Sequence, residues 1–206
     1  MNKAQRFEAA PIYLTLLVSL IAGFGLLHSL ATQPEAVFTS AGTVIDPPRQ
    51  LNDFALTDQT GKLMRLSDLR GRVALVFFGY THCPDVCPIA VAKYTQVKAA
   101  LGNDANRIAF VFISVDGKRD TPEVLAQWLG AFDPTFIGLT GDEATVLDIG
   151  KDFLTTFIRD PQTGLVEHSS RMFVVDGLSR LRITYFLDVP PKTIAGEIIR
   201  LGNSGS

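Results

Sequence analysis

Two cysteines four residues apart, Cys83 and Cys87, are the side chains of this 206-residue sequence best suited to chemistry. They are its only cysteines, and they lie in the segment 79–88, which reads GYTHCPDVCP. Their spacing is one residue wider than that of the usual Cys-X-X-Cys redox pair. Two thiolates presented side by side can hold a soft metal ion or interconvert with a disulfide. The sequence therefore predicts a metal site or a redox pair.

The residues around the cysteines predict how the two sulfurs are positioned. Val73–Phe78 is apolar throughout, as central strands tend to be, and Pro88–Leu101 predicts a helix that ends at Gly102. We expect Cys83 to begin the turn between them and Cys87 to lie in the first helical turn, with both sulfurs on one side. The helix N-terminus should then favour thiolate over thiol at the pair.

The remainder of the chain predicts alternating strands and helices. Hairpin turns are expected at Asp58–Gly61 and at Asp176-Gly177. Because the cysteines follow the first long strand, this alternation predicts an α/β thioredoxin-like domain. Strands are predicted over 53–57, 62–66, 107–115, 136–139, 171–175 and 181–186, with a helical turn at 67–69 and helices over 121–129, 142–157 and 191–201.

An uncharged run near the N-terminus predicts a membrane anchor. Ile12–Leu27 approaches the about 20 apolar residues that cross a bilayer as a helix. Lys3 and Arg6 precede it, so the positive-inside rule places the N-terminus in the cytoplasm and the domain outside. Ser29–Ala31 resembles a cleavage site, so removal as a signal segment stays open. No organelle transit pattern is present, which favours a bacterial inner membrane and a periplasmic domain.

The chain is thus predicted to have three parts. Residues 1–31 are an anchor or signal segment, residues 32–48 a proline-containing tether, and residues 49–206 the thioredoxin-like domain that carries the cysteines. The net charge is −2 and no basic stripe occurs, which argues against nucleic acid as a partner. A purely structural disulfide is a poor explanation of the cysteines, because closing so short a loop stabilises little.

Three histidines are available as a further ligand, and imidazole suits copper as well as zinc. His28 lies at the end of the apolar run. His82 adjoins Cys83, and neighbouring side chains on an extended segment point to opposite faces. His168 lies between the turn-rich segment 160–164 and the next predicted strand, a point that can approach the cysteine turn in a thioredoxin-like sheet. A surface histidine without a ligand role is the alternative for this residue.

A charged segment follows the second buried strand. Asp116, Arg119 and Asp120 are expected to form a network beneath the site, although a helix cap at Thr121 explains part of the segment without function. Met172 carries a soft sulfur, but in an apolar strand it is interpreted as core.

Four sequence features together resemble the Sco/SenC family of copper-binding proteins, over about residues 51–201. The cysteine segment with its two prolines is the most specific of them. The features are GYTHCPDVCP at 79–88, ISVD at 113–116, RDTPE at 119–123 and His168-Ser169.

This resemblance implies a function, a ligand set and partners. Copper, as Cu(I), Cu(II) or both, would be bound by Cys83, Cys87 and His168. The chain would be a metallochaperone that delivers copper to, or prepares, the dinuclear copper centre of cytochrome c oxidase. The partners would be the copper-bearing oxidase subunit and other periplasmic copper carriers or thiol reductases. The chain departs from the family pattern at Glu167, where aspartate is common, and at Gly117-Lys118, which replaces Pro-Glu.

A thiol–disulfide oxidoreductase acting on cysteines of the oxidase subunit is the alternative. Helical residues four apart have Cα atoms about 6 Å apart, inside the roughly 4.4–6.8 Å range of disulfides. The two roles can coexist, so whether the chain is an enzyme stays open. A peroxidase is disfavoured, because a peroxiredoxin-like site needs a threonine where Tyr80 lies.

Overall fold

The computed structural model describes residues 40–160, 162–163, 165–168 and 170–204, without the side chains of residues 167, 168 and 204. The predicted anchor, residues 1–31, lies outside this part of the chain, as does the start of the predicted tether. Among the described residues, no helix has the length and hydropathy needed to cross a membrane.

A large mixed sheet organises the described residues. Its strands lie in the order β1-β10-β9-β4-β5-β6-β2-β3, and a separate two-stranded hairpin pairs β7 with β8. The strands are β1 (Thr43–Gln50), β2 (Ala55–Asp58), β3 (Leu63–Arg65), β4 (Val73–Gly79), β5 (Ile108–Ser114), β6 (Ile137–Thr140), β7 (Phe157–Arg159), β8 (Val166–His168), β9 (Arg171–Val175) and β10 (Arg180–Phe186).

The centre of the sheet is the parallel pair β4–β5, flanked by antiparallel β9 and parallel β6. Every residue of β4 and β5 is buried. Strands covered on both faces need continuous apolar sequence, which is what the runs ending at Phe78 and Ile113 provide. The predicted central strands and both predicted hairpins, β2–β3 and β9–β10, are confirmed.

Four α-helices surround this sheet in the described part of the chain. They are α1 (Val86–Leu101), α2 (Pro122–Gly130), α3 (Glu143–Asp152) and α4 (Pro191–Ser204). Helices α1 and α4 pack against each other, α4 contacts β4, and α2 packs on β6. Gly102 ends α1 at a φ of 56°, in the left-handed region that favours glycine, and the Thr121 side chain caps α2, as predicted.

The predicted helix over 142–157 was wrong beyond Asp152, where α3 ends. Leu154 takes a φ of 58°, which breaks the helical path, and Phe157 begins β7 instead. The hairpin β7–β8 was missed, because each of its strands has only three residues and shows no clear alternation.

The predicted tether was wrong for residues 43–48, which belong to β1 at the edge of the sheet. An edge strand tolerates prolines because its outer N–H groups need no partner. Pro47 and Pro48 lie where the pairing with β10 is interrupted, between Val44 and Arg49. Upstream, the Ala41 N–H donates to buried Glu197 on α4 at 2.8 Å, so the ordered domain begins before the predicted boundary at 49.

Candidate metal centre

The cysteines lie where the central strand β4 passes into α1. Cys87 is the second residue of the helix, and the Cys83 N–H closes the preceding turn on the Tyr80 carbonyl at 3.3 Å. Gly79 makes room for the buried sulfur, because a Cβ at that position would lie 2.8 Å from the Cys87 Sγ. The predicted placement of both cysteines is therefore confirmed.

Cys83 is a half-buried free thiol at the start of α1. Burial disfavours its thiolate, but the N–H groups of Asp85 and Cys87, the Cys87 thiol and the Val86 N–H outweigh burial and lower the pKa of Cys83. The Asp85 side chain makes no helix cap, so these N–H groups are left to the sulfur. The predicted stabilisation of a thiolate by the helix N-terminus is confirmed here.

Cys87 has the opposite electrostatics. Burial raises the pKa of its thiol far above the usual value. The Tyr80 N–H lowers it in part, but the Cys83 sulfur and the Asp120 carboxylate add to the increase. The predicted thiolate is thus wrong for Cys87. The two sulfurs are hydrogen-bonded to each other, and this contact favours a thiolate at Cys83 and a thiol at Cys87.

A buried carboxylate holds the cysteine turn from behind. Asp120 is 0% exposed and accepts hydrogen bonds from the Thr81 N–H at 2.9 Å, the Thr81 hydroxyl at 2.6 Å and the Ser114 hydroxyl at 2.6 Å. Ser114 is the last residue of β5, so Asp120 joins the turn to a central strand. The sequence interpretation placed Asp120 in the network but missed Thr81 and Ser114, whose hydroxyls at strand ends were the available signal.

The rest of the predicted network is centred on Asp116, which is 1% exposed. Its carboxylate pairs with Arg119, as expected, and also with Arg159 of β7 at 3.0 Å. Arg159 was not predicted, because nothing in the local sequence indicates that β7 returns to this loop. Gly117 follows at a point of close approach, where a Cβ would lie 1.8 Å from the Gly141 carbonyl oxygen. The lack of space for a side chain explains why glycine occupies position 117, where this chain departs from the family pattern.

His168, the third predicted ligand, is the last residue of β8. Its backbone pairs with that of Phe157, whose ring packs on Phe78 with centroids 5.2 Å apart. The Val166 N–H, two residues before His168, donates to the Tyr80 hydroxyl at 3.3 Å. The backbone of β8 is thus tied to the residues just before the cysteine turn. The side chain of His168 is outside the described atoms.

The other sequence candidates have structural explanations. The ring of His82 is half exposed, with Nδ1 3.0 Å from the Thr81 Oγ1 and 3.7 Å from the Asp120 Oδ1. Met172 is completely buried in β9, as predicted for a core residue. His28 lies outside the described residues. Among the side chains that the structure does describe, no group of three or more His, Cys, Asp and Glu is placed to hold a metal ion.

The donors that the structure brings together have the chemistry of a soft-metal site. The half-buried Cys83 sulfur, whose pKa is lowered, is hydrogen-bonded to the buried Cys87 sulfur, and soft sulfur ligands select Cu(I) and zinc over hard cations. The same pair at the start of a helix, following the central strand of a mixed sheet, defines a thioredoxin-like dithiol protein.

Comparisons with known proteins identify the family. The sequence model of SCO1/SenC matches residues 43–202, and the chain belongs to that family. A SCO2-like protein of Rickettsia felis is 32% identical over 197 residues, which cover 92% of this chain and 96% of the relative.

Copper is bound in solved structures of relatives, including those from Bradyrhizobium japonicum and yeast. Bradyrhizobium japonicum ScoI with copper bound matches with a TM-score of 0.68 and 34% identity, over 74% of this chain and 99% of that one. Yeast Sco1 with copper bound matches with a TM-score of 0.69 and 27% identity, over 77% and 91% respectively. The thioredoxin-like fold predicted from sequence is confirmed by these matches.

Proposed function

We propose that this protein is a copper metallochaperone that binds the metal through Cys83, Cys87 and His168. The observation that carries the proposal is the cysteine pair, in which the N–H groups of the helix N-terminus lower the pKa of the Cys83 sulfur and the Cys87 sulfur is held beside it. Copper-bound relatives with the same fold support copper as the cargo. Three soft or borderline ligands are enough for Cu(I) and leave a position open for exchange.

The proposed recipient is the dinuclear copper centre of cytochrome c oxidase, as the family resemblance implies. Transfer needs a site that can exchange ligands with the copper-bearing subunit. Cys83 is the half-buried member of the pair and would be the first sulfur that an incoming ligand reaches, whereas Cys87 is enclosed. We place the domain in the periplasm of a single-pass inner-membrane protein. Protection of the domain from protease added to intact spheroplasts would contradict that topology.

The ligand set is tested by replacing the histidines one at a time. Copper affinity of the full-length chain would be measured by competition with a chromogenic Cu(I) chelator. We expect His168→Ala to weaken binding by about 100-fold or more, because losing a direct ligand should cost at least as much as losing an outer contact. His82→Ala is the matched control and should stay within about twofold, since its ring is directed at Thr81.

If His168→Ala retains copper as the unchanged protein does, the three-ligand proposal is wrong. Loss of copper in both histidine variants alike would contradict the assignment of His168 over His82.

A second candidate function, thiol–disulfide exchange, is favoured by the asymmetry of the cysteines. The thiolate form of Cys83, which its lowered pKa favours, can attack a disulfide of the partner, forming a mixed disulfide and releasing one partner sulfur as a thiol. Cys87 then displaces the other, so that the partner is reduced and this protein is oxidised to the Cys83–Cys87 disulfide. His168→Ala should leave the rate of this exchange unchanged. A parallel loss of exchange and copper binding in that variant would contradict two separable roles.

A further inference from the structure

The hairpin β7–β8, which carries His168, makes three described contacts around the ends of the two central strands. The Phe157 ring packs on Phe78 of β4. The Val166 N–H donates to the Tyr80 hydroxyl. Arg159 donates to the Asp116 carboxylate at 3.0 Å. All three contacts are made with residues at or just beyond the ends of the two central strands.

The Arg159–Asp116 contact is the charged one of these three, and Arg159 also pairs with the exposed Glu143 of α3 at 3.4 Å. Asp116 is 1% exposed and Arg159 24% exposed, so the pair is largely shielded from solvent, where ion pairs are worth more than at the surface. Arg159 lies opposite Val166 in the register of the hairpin. The ion pair and the Val166–Tyr80 hydrogen bond are therefore made by two residues that lie opposite each other in the hairpin. Both contacts are close to His168, which follows Val166 by two residues.

The anchor of Arg159 is also linked to the cysteine turn. The Asp116 N–H donates to the Ser114 hydroxyl at 3.0 Å, and this hydroxyl donates to Asp120, which holds Thr81. A continuous set of hydrogen bonds thus runs from the hairpin to the turn that carries Cys83. The two halves of the candidate site share one buried polar support.

We propose that Arg159 is a positioning residue for the third copper ligand: its ion pair with Asp116 docks the β7–β8 hairpin and keeps His168 in reach of the cysteine pair. The inference rests on the proposed function. Arg119 pairs with the same carboxylate from the loop itself, and its guanidinium lies 5.8 Å from the centre of the Tyr80 ring. Arg119 therefore provides a matched comparison for the loss of one cation from Asp116.

The expected effect on copper affinity follows from the fraction of molecules in which the hairpin is docked. Apparent affinity falls in proportion to the fraction of molecules in the binding-competent arrangement. If loss of the ion pair reduces the docked fraction to about one tenth, Arg159→Ala weakens copper binding about tenfold. Arg119→Ala should stay within about twofold. Arg159→Lys keeps a cation near Asp116 and should recover most of the affinity.

The experiment uses the full-length chain in four forms: unchanged, Arg159→Ala, Arg159→Lys and Arg119→Ala. Copper affinity is measured by chelator competition, and hydrogen exchange of the metal-free chain is followed in the segment 157–168. Arg159→Ala should accelerate exchange in that segment and leave the alkylation rate of Cys83 unchanged. A general loss of folding would change both. Equal copper affinities for the Arg159 and Arg119 variants would overturn the inference.

A double-mutant cycle tests whether Arg159 acts through His168. In a His168→Ala background, adding Arg159→Ala should weaken copper binding no further, because the residue it positions is gone. A further tenfold loss would overturn the positioning role. If His168→Ala alone leaves copper affinity unchanged, the proposed function and this inference both fail. If His168→Ala loses copper but Arg159→Ala behaves like Arg119→Ala, only the inference fails.

Discussion

The cysteine turn and the β7–β8 hairpin are two differently built halves of one candidate site. The turn follows a fully buried central strand and is fixed by Asp120, which is buried beneath it. The hairpin consists of two three-residue strands outside the main sheet, and it exposes Ile158 and Leu165. Few buried contacts mean low local stability. The comparison indicates a preorganised sulfur pair and a more easily displaced third ligand, an arrangement suited to a cargo that must be released.

The largest expected effect on the cysteine turn comes from removing the buried carboxylate of Asp120. Asp120→Ala should lower the free energy of unfolding by about 3 kcal/mol, because the Thr81 N–H and the Ser114 hydroxyl lose a charged acceptor inside the protein. Urea denaturation measures the change. Asp104→Ala, at a half-exposed aspartate paired with Arg107, is the control and should cost less than about 1 kcal/mol. Equal costs for the two variants would show that the turn does not depend on Asp120.

Substitutions of two buried glycines test the cysteine turn and the β7–β8 hairpin separately. Gly79→Ala places a Cβ 2.8 Å from the Cys87 sulfur and 2.9 Å from two phenylalanine rings, so it should cost about 2 kcal/mol. Gly150→Ala places a Cβ 2.7 Å from the half-buried Phe157 ring of the hairpin, which can move, so it should cost about 1 kcal/mol. Thermal unfolding gives both values.

Local readouts distinguish the glycine variants further. Gly79→Ala should change the reactivity of the cysteines and leave hydrogen exchange in the hairpin unchanged. Gly150→Ala should do the reverse. If either variant disturbs both halves equally, the two parts of the site are not structurally separable.

The sequence predicted the cysteine turn far better than the β7–β8 hairpin. An uninterrupted apolar strand, a helix and the glycine at its end are strong local signals, and they placed both cysteines correctly. The hairpin has no such signal, and its position depends on Arg159 meeting Asp116 across 43 residues of chain. The opposite pKa shifts of the two cysteines also depend on tertiary structure, because burial of Cys87 follows from the packing around Gly79 and not from its spacing to Cys83.

The pH dependence of copper binding tests that asymmetry of the sulfurs. Because burial raises the pKa of the Cys87 thiol far above its usual value, this thiol keeps its proton through the neutral range, and copper must displace that proton to bind the sulfur. Copper affinity should therefore rise as the pH rises. Cys87→Ser should make this dependence on pH weaker. A flat profile for the unchanged protein would contradict the assignment.

X-ray absorption spectroscopy of the Cu(I)-loaded full-length chain, compared with His168→Ala, tests the central claim most directly. We predict two sulfur ligands and one imidazole nitrogen on copper in the unchanged protein, and the same two sulfurs without that nitrogen in the variant. Identical copper environments in the two proteins would contradict the joining of a rigid cysteine pair with a ligand from the docked hairpin.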